Sequence, residues 1–387
     1  MTASGGTAFE PANMLTGARR LRALWPIEAS RPKQQRFGYH NLSKTHIKYF
    51  VLIFLKMQLM GNKENQNVSS VTEFILLGFG DLIKLEFLLF PVFLMIYLMT
   101  MTGNLLIVLL IVIDGHLHTP MYFFLLNLSL LESCYSSVIL PKTLLCLLTG
   151  KKSISLNSCF VQYYLFACLG GAECYFLSAM SYDRYLAVCK PLHYSTLMNN
   201  RLCLQLTIVS WASGILVSTS TTFSIASLTF CGPNVIDHYL CDLSPFIKEI
   251  SCTDTYIVEL TAFTFACTFT FPPLLLTWMS YIFIIYTIIK IPSTTGKKKA
   301  FSTCSSHLTV VALFYGTLML VYMLPHSRNL KHLKKIFSLF YTALTPLINP
   351  LIYSLRNKEV KAAMWKSLRK FVIHMRNSKP NFCSISK

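Results

Sequence analysis

Seven long apolar windows follow residue 80, at approximately 86–113, 121–148, 159–182, 202–225, 258–289, 300–324 and 336–355, and their longest charge-free stretches run over 87–113, 202–230 and 260–289. A helix crosses a bilayer core of roughly 30 Å with about 20 apolar residues, so each window can span. Backbone polar groups in lipid must pair within their own segment, which forces helices. Strands of a membrane barrel would alternate polar and apolar side chains at every second position, and these windows do not. The pattern predicts an all-α membrane protein, a bundle of seven transmembrane helices.

Seven spans put the termini on opposite sides, and the distribution of Lys and Arg between spans decides which side is which. Segments 114–120, 183–201, 290–299 and 356–387 hold 16 Lys/Arg against 3 acids, whereas the opposite set from residue 60 onward holds 10 against 9. The first set is therefore cytoplasmic, led by Lys297, Lys298 and Lys299 and by Arg356, Lys358, Lys361, Lys366, Arg369 and Lys370. The N-terminus is outside and the C-terminus is cytoplasmic. One outer loop, 328–335, is basic and runs against the rule.

Composition agrees with a lipid solvent. Of 387 residues, 53% are hydrophobic and 13% charged, with a mean hydropathy of +0.50, against roughly 25% charged in a soluble domain. The net charge of +19 divides by region: the first 59 residues hold 9 Lys/Arg and 2 acids, and most of the remainder lies on the cytoplasmic face. The excess is a topology signal, not a nucleic-acid footprint. The first 30 residues lack an apolar core with a small-residue cleavage site, so the first helix serves as its own insertion signal. Four segments follow: a disordered leader or gene-model extension at 1–59, an extracellular terminus at 60–84, the seven-helix domain at 85–355 and a cytoplasmic tail at 356–387. Met57 and Met60 are alternative starts. Asn67, in Asn67-Val68-Ser69, is a glycosylation acceptor on the outer face.

Four of the thirteen cysteines face outward: Cys159 at the start of the third helix, and Cys231, Cys241 and Cys252 in the long loop after the fourth. In an oxidising compartment they predict two disulfides, with three pairings open. The same loop contains His238, Cys241 and Asp242, a set that holds a soft metal ion if Cys241 is a free thiolate. Cys134, Cys168, Cys174, Cys267 and Cys304 lie in helices as small core residues.

Glu132 and Glu173 are the ionisable residues deepest in the windows, and a carboxylate at a helix centre costs about 2.5–3.5 kcal/mol, which marks it as functional. With Asn104 and Asn349 they form a candidate sodium site of hard oxygen ligands. Asp183-Arg184-Tyr185 ends the third helix at the cytoplasmic face. Pro350, after Asn349, removes a backbone bond near the inner end of the seventh helix and makes a hinge there.

These features sit among longer motifs: VTEFILLGF (71–79), Gly103-Asn104, LHTPMYFFLLNLSLLE (117–132), MSYDRYLAVCKPLHY (180–194), HYLCD (238–242), Ser280-Tyr281, KAFSTCSSHLTVVALFYGT (299–317) and PLINPLIYSLRN (346–357). On them the chain resembles the rhodopsin-like (class A) G-protein-coupled receptors, and more closely the odorant (olfactory) receptors, over about residues 65 to 370. The resemblance implies a multi-pass plasma-membrane receptor, in the cilia of olfactory sensory neurons. It would bind a small hydrophobic odorant and activate a heterotrimeric G protein of the stimulatory, olfactory type, raising cyclic AMP. It further implies that Asp183 holds Arg184 at rest, that Arg184 engages the G protein when the sixth helix swings out, and that Tyr185, Tyr281, Tyr353 and Ser305-Ser306-His307 belong to the inner switch. It pairs Cys159 with Cys241 and Cys231 with Cys252. The second-helix carboxylate, often Asp in this family, is here Glu132, and the long leader is outside the family's pattern.

An odorant pocket is mostly hydrophobic. Its candidates are Phe166, Ala167, Gly170, Phe265, Phe269, Tyr315, Leu318 and Tyr322, from the outer halves of the third, fifth and sixth helices. No Asp or Glu occurs between 159 and 171, so a protonated amine lacks a salt-bridge partner there. Alternatives are a rhodopsin-like receptor for a lipid-like or peptide ligand, and a multi-span transporter, which would show an inverted repeat or facing broken helices. No Ser/His/Asp set converges near one face, so no catalytic residue is assigned and no enzyme is expected.

Overall fold

The computed structural model describes residues 71–79, 86–231, 233–242, 247–323, 331–356 and 358–377. The leader, Met57, Met60, Asn67 and Arg328 lie outside the described residues, as does the side chain of Tyr322.

The long helices are α1 (Glu86–Ile113), α2 (Pro120–Thr149), α3 (Leu156–Cys189), α4 (Asn200–Ala226), α5 (Tyr256–Lys290) and α6 (Thr294–Met323). The seventh crossing is built from α7 (Lys331–Leu339), a π-helical turn (Phe340–Leu344) and α8 (Thr345–Arg356), and α9 (Lys358–Asn377) follows. Local chemistry sets the ends. Pro120 opens α2, where a missing N–H is harmless, and Gly150 closes it at φ 67°, a left-handed conformation open to glycine. The Ser155 and Asn199 side chains accept from the backbone N–H groups of Ser158 and Leu202 to cap α3 and α4, satisfying donors that the helix leaves unpaired.

Among the described residues, six segments are apolar and long enough to traverse a membrane. The helix outside that set is α3, and its position explains why. It packs against α2, α4, α5 and α6 and buries Gln162, Glu173, Ser178, Ser181 and Asp183. A helix surrounded by other helices has little contact with lipid, so its side chains need only satisfy one another. Its crossing with α4 is close enough to require glycine. A Cβ at Gly171 would lie 3.2 Å from the Gly214 Cα, and one at Gly214 would overlap the Cys168 carbonyl oxygen.

The end bearing the disulfides is capped by a small sheet of order β2-β1-β3. Strand β1 (Glu73–Leu76) pairs antiparallel with β2 (Ser153–Ser155), Phe74 facing Ile154, and parallel with β3 (Val235–Ile236), Leu76 facing Ile236. Phe74, Leu76, Ile154, Ile225, Phe230 and Ile236 bury a common core beneath it with Cys159 and Cys241. Composition marks 60–84 only as a polar terminus, yet residues 73–76 form the central strand. Four residues are too short a run for alternation to stand out, and their partners lie in two distant loops.

At the inner end, α9 lies against the bundle, burying Val360 and Ala363. Tyr122 Oη donates to Glu359 Oε2 at 2.8 Å, and Lys366 Nζ donates to both Asp114 carboxylate oxygens at 3.2 Å. Partial burial opposes ionisation of Asp114, but the His116 N–H and the Lys366 ammonium outweigh it and hold the carboxyl below its ordinary value.

Candidate functional site

The residues expected to form an inner switch meet around the end of α3. Asp183 and Arg184 are buried, with Arg184 Nη2 3.6 Å from Asp183 Oδ2. That distance is an ion pair but longer than a hydrogen bond. The other carboxylate oxygen accepts from Tyr194 Oη at 2.7 Å, so Asp183 is restrained from the loop as well as from its own helix. Across the bundle, Tyr281 Oη and His307 Nδ1 are 2.6 Å apart and join α5 to α6. Tyr353, on α8, is buried in the same inner half. Tyr185 packs against Phe283 at 5.8 Å between ring centroids. The family motifs flag Asp183, Arg184, Tyr281, His307 and Tyr353. Tyr194 lies inside the quoted segment, but nothing in an isolated tyrosine marks it as the partner of Asp183.

The polar cluster sits at mid-bundle. Asn104 Nδ2 donates to the Thr100 and Pro346 carbonyls, each at 3.1 Å, and Asn349 Nδ2 donates to Glu132 Oε1. Glu173 faces Glu132. Glu132 Oε2, both Glu173 carboxylate oxygens and Asn349 Oδ1 are buried with no hydrogen-bond partner among the described residues. Oxygens left this way need a partner, which a proton shared between the two facing carboxyls or a hard cation can supply.

In the outer half, Phe166 is buried between Tyr135 at 5.7 Å and Tyr341 at 6.2 Å. Gly170 leaves space beside the Tyr135 ring. Phe265 and Phe269 stack on each other at 6.0 Å along α5. Tyr315 is buried and donates to the Cys174 carbonyl at 2.9 Å, tying α6 to α3, while Ala167 and Leu318 are half-buried. Sequence reasoning missed Tyr135 and Tyr341, because an aromatic in an apolar window carries no signal of which neighbour it meets.

The long outer loop closes over this region. Disulfides join Cys159 to Cys241 and Cys231 to Cys252. The metal set His238, Cys241 and Asp242 does not form: the Cys241 sulfur is bonded to Cys159 and is no longer a thiolate ligand. Gln162 reinforces the same junction, accepting from the Cys241 N–H and donating to the Val138 carbonyl, both at 3.0 Å. The basic outer segment also finds its reason here. Lys335 is nearly buried and pairs with Asp237 at 2.7 Å, and Lys334 lies within electrostatic reach of Asp242. Loop carboxylates answer the lysines that ran against the charge rule.

His238 is buried, and burial followed by the nearby Lys335 charge drops its imidazole to about 3, with Asp237 opposing. Its Nδ1 accepts from the Leu240 N–H at 3.3 Å, which requires the neutral ring. A depressed histidine contributes stability fully above the unfolded value of about 6.5 and loses it as pH falls toward the folded value. Between pH 7.5 and 5 the expected loss is about 2 kcal/mol. The thermal midpoint of purified receptor should fall over that range, and His238→Asn, which keeps an acceptor, should fall less. Equal drops in both proteins would refute this.

Comparison with known proteins agrees with the geometry. The family profile described as olfactory receptor matches residues 93–370. Olfactory receptor 10A3 of Homo sapiens is 49% identical over 310 residues, 80% of this chain and 98% of that protein. Olfactory receptor 5AR1 of Mus musculus is 47% identical over 309 residues, 80% of this chain and 99% of that one. The crystal structure of squid rhodopsin superposes with a TM-score of 0.60 over 73% of this chain and 80% of that chain at 16% identity, a likeness of fold. The chain is a multi-pass membrane receptor, not an enzyme, and it belongs to the olfactory receptor family of rhodopsin-like G-protein-coupled receptors.

Proposed function

We propose that this receptor binds small, mostly apolar, neutral volatile ligands within the bundle and activates a stimulatory, olfactory-type G protein, raising cyclic AMP. The observation that carries the ligand class is the outer half of α3, where Phe166 and Gly170 meet aromatic neighbours and no carboxylate occurs between 159 and 171. A ligand moves the inner face only by binding the active arrangement better than the resting one. Tyr315 offers a direct route, since a ligand that displaces its hydroxyl from the Cys174 carbonyl loosens α6 from α3. Asp183 would then release Arg184 toward the G protein.

A sodium ion fits the cluster: the orphaned oxygens of Glu132, Glu173 and Asn349 would hold it, beside Asn104. When bound, the ion supplies positive charge to two facing carboxyls. The side chains themselves tie α1, α2 and α8 in the resting arrangement.

A cyclic-AMP reporter with a chemically mixed panel tests the reading. Neutral alcohols, aldehydes and esters should activate, with primary aliphatic amines of equal chain length at least ~10-fold weaker, since an unpaired buried ammonium is costly. Equal potency of the amines would sink the electrostatic argument, and activation by a peptide alone would defeat the odorant reading. In the same assay, replacing sodium with choline should raise the resting signal of the native receptor and leave Glu132→Ala unmoved.

A further inference from the structure

We infer that the hydrogen bond between Tyr239 of the outer loop and Thr342 of the π turn is a positioning contact: it holds the seventh crossing in its resting register and ties the loop to the polar cluster at Asn349. The functional half of this inference rests on the receptor reading above.

The geometry makes Tyr239 a fixed peg. Its loop is anchored to α3 through Cys159–Cys241 and through Gln162, and its ring stacks on Phe79 at 5.3 Å and 12° between planes. Phe79 in turn packs on Phe93 of α1. The Tyr239 hydroxyl meets Thr342 Oγ1 at 2.7 Å, both residues being buried. Thr342 has one hydroxyl proton, and it goes to the Ser338 carbonyl at 2.7 Å. Tyr239 is therefore the donor.

The turn it grips is unusual. A π turn carries one residue more than an α turn and is seldom kept without a functional reason. One residue corresponds to about 100° of helix rotation, so the turn sets how α8 faces the bundle relative to α7. Within it, Tyr341 meets Phe166. Below it, the Pro346 carbonyl accepts from Asn104 and Asn349 bonds Glu132. Without the peg the segment is free to relax toward a regular helix, which would turn Asn349 and Pro346 away from these partners. A ligand that shifts the loop or Tyr341 acts on the same turn.

The test uses full-length receptor in lipid nanodiscs for hydrogen–deuterium exchange, and in cells for resting cyclic AMP at matched surface level. Tyr239→Phe removes the donor and nothing else. It should raise exchange across 338–349 and raise resting signal on the order of three- to ten-fold, the span expected for one hydrogen bond. Thr342→Val should do the same, the double variant should do no more than either single, and Thr342→Ser should behave as the native protein. Unchanged exchange in Tyr239→Phe, or additive effects in the double variant, overturns the contact. Raised exchange with unaltered resting signal, in a receptor that signals, overturns the functional half. If the native receptor is silent both at rest and with every odorant, the G-protein reading fails instead, and exchange alone still decides the contact.

Discussion

Arg184→Ala should reduce odorant-stimulated cyclic AMP to the reporter background, a loss of at least ~100-fold, while surface delivery stays within about two-fold. A guanidinium remains charged at any physiological pH and offers five donors in a fixed fork, and no other side chain at this end of α3 supplies the same group. Arg184 is also poised for release. Its Nη2 has no hydrogen-bond partner among the described residues, and the contact to Asp183 is a 3.6 Å ion pair. Asp183 keeps the Tyr194 hydroxyl as a partner when the guanidinium is removed. Asp183→Asn supplies the opposite sign: the latch weakens and resting signal rises. Surface labelling alongside the reporter separates the two failures. Full signalling by Arg184→Ala at normal surface level would remove the central mechanistic claim.

Gly214→Val should abolish surface delivery outright. The clash is with backbone, not with the far end of a flexible side chain. A Cβ at 214 would overlap the Cys168 carbonyl oxygen and lie 2.9 Å from the Ala172 nitrogen, and both atoms belong to the interior of α3. Relief would require α3 and α4 to separate along their whole crossing. Close approach through small residues is a principal source of helix association in lipid, where the hydrophobic effect no longer drives helices together. Overpacking a soluble core costs about 1–3 kcal/mol, and a rigid backbone clash exceeds that range. The contrast is Gly316, on α6, where an added Cβ meets nothing within 4 Å. Gly316→Ala should be neutral or slightly stabilising, since alanine is favoured over glycine in a helix by roughly 1 kcal/mol. Cell-surface antibody staining checks both, and normal delivery of Gly214→Val would refute the close α3–α4 crossing.

Glycine content gave no warning of this difference. Gly214 and Gly316 each sit in an apolar window, and neither forms part of a turn. What distinguishes them is the distance to a residue far away in sequence, which has no local trace. The same holds for the outer cap. Gln162 reads as one polar residue in a helix until the loop carrying Cys241 is brought to it. The lysines at 334 and 335 read as a violation of the charge rule until Asp237 and Asp242 are placed opposite them. The aromatic candidates show a milder version. Outer-half positions on α3 and α6 make Phe166 and Tyr315 pocket candidates, but give no sign of their partners, the Tyr135 and Tyr341 rings and the Cys174 carbonyl.

By itself the sequence determined that the chain is a helical membrane bundle, where the first, second, fourth and fifth crossings begin and end to within about two residues, and through its motifs the family. Those properties follow from transfer to lipid and from backbone self-pairing, which act on contiguous segments and so can be summed along the chain. Tertiary structure alone decided that α3 is central and polar, that glycine is obligatory at 214, that β1 is the middle strand of the cap and that the seventh crossing carries a π turn pinned by Tyr239. Each of these depends on a contact between segments separated by tens to hundreds of residues, and its energy exists only once the packing that brings them together has formed.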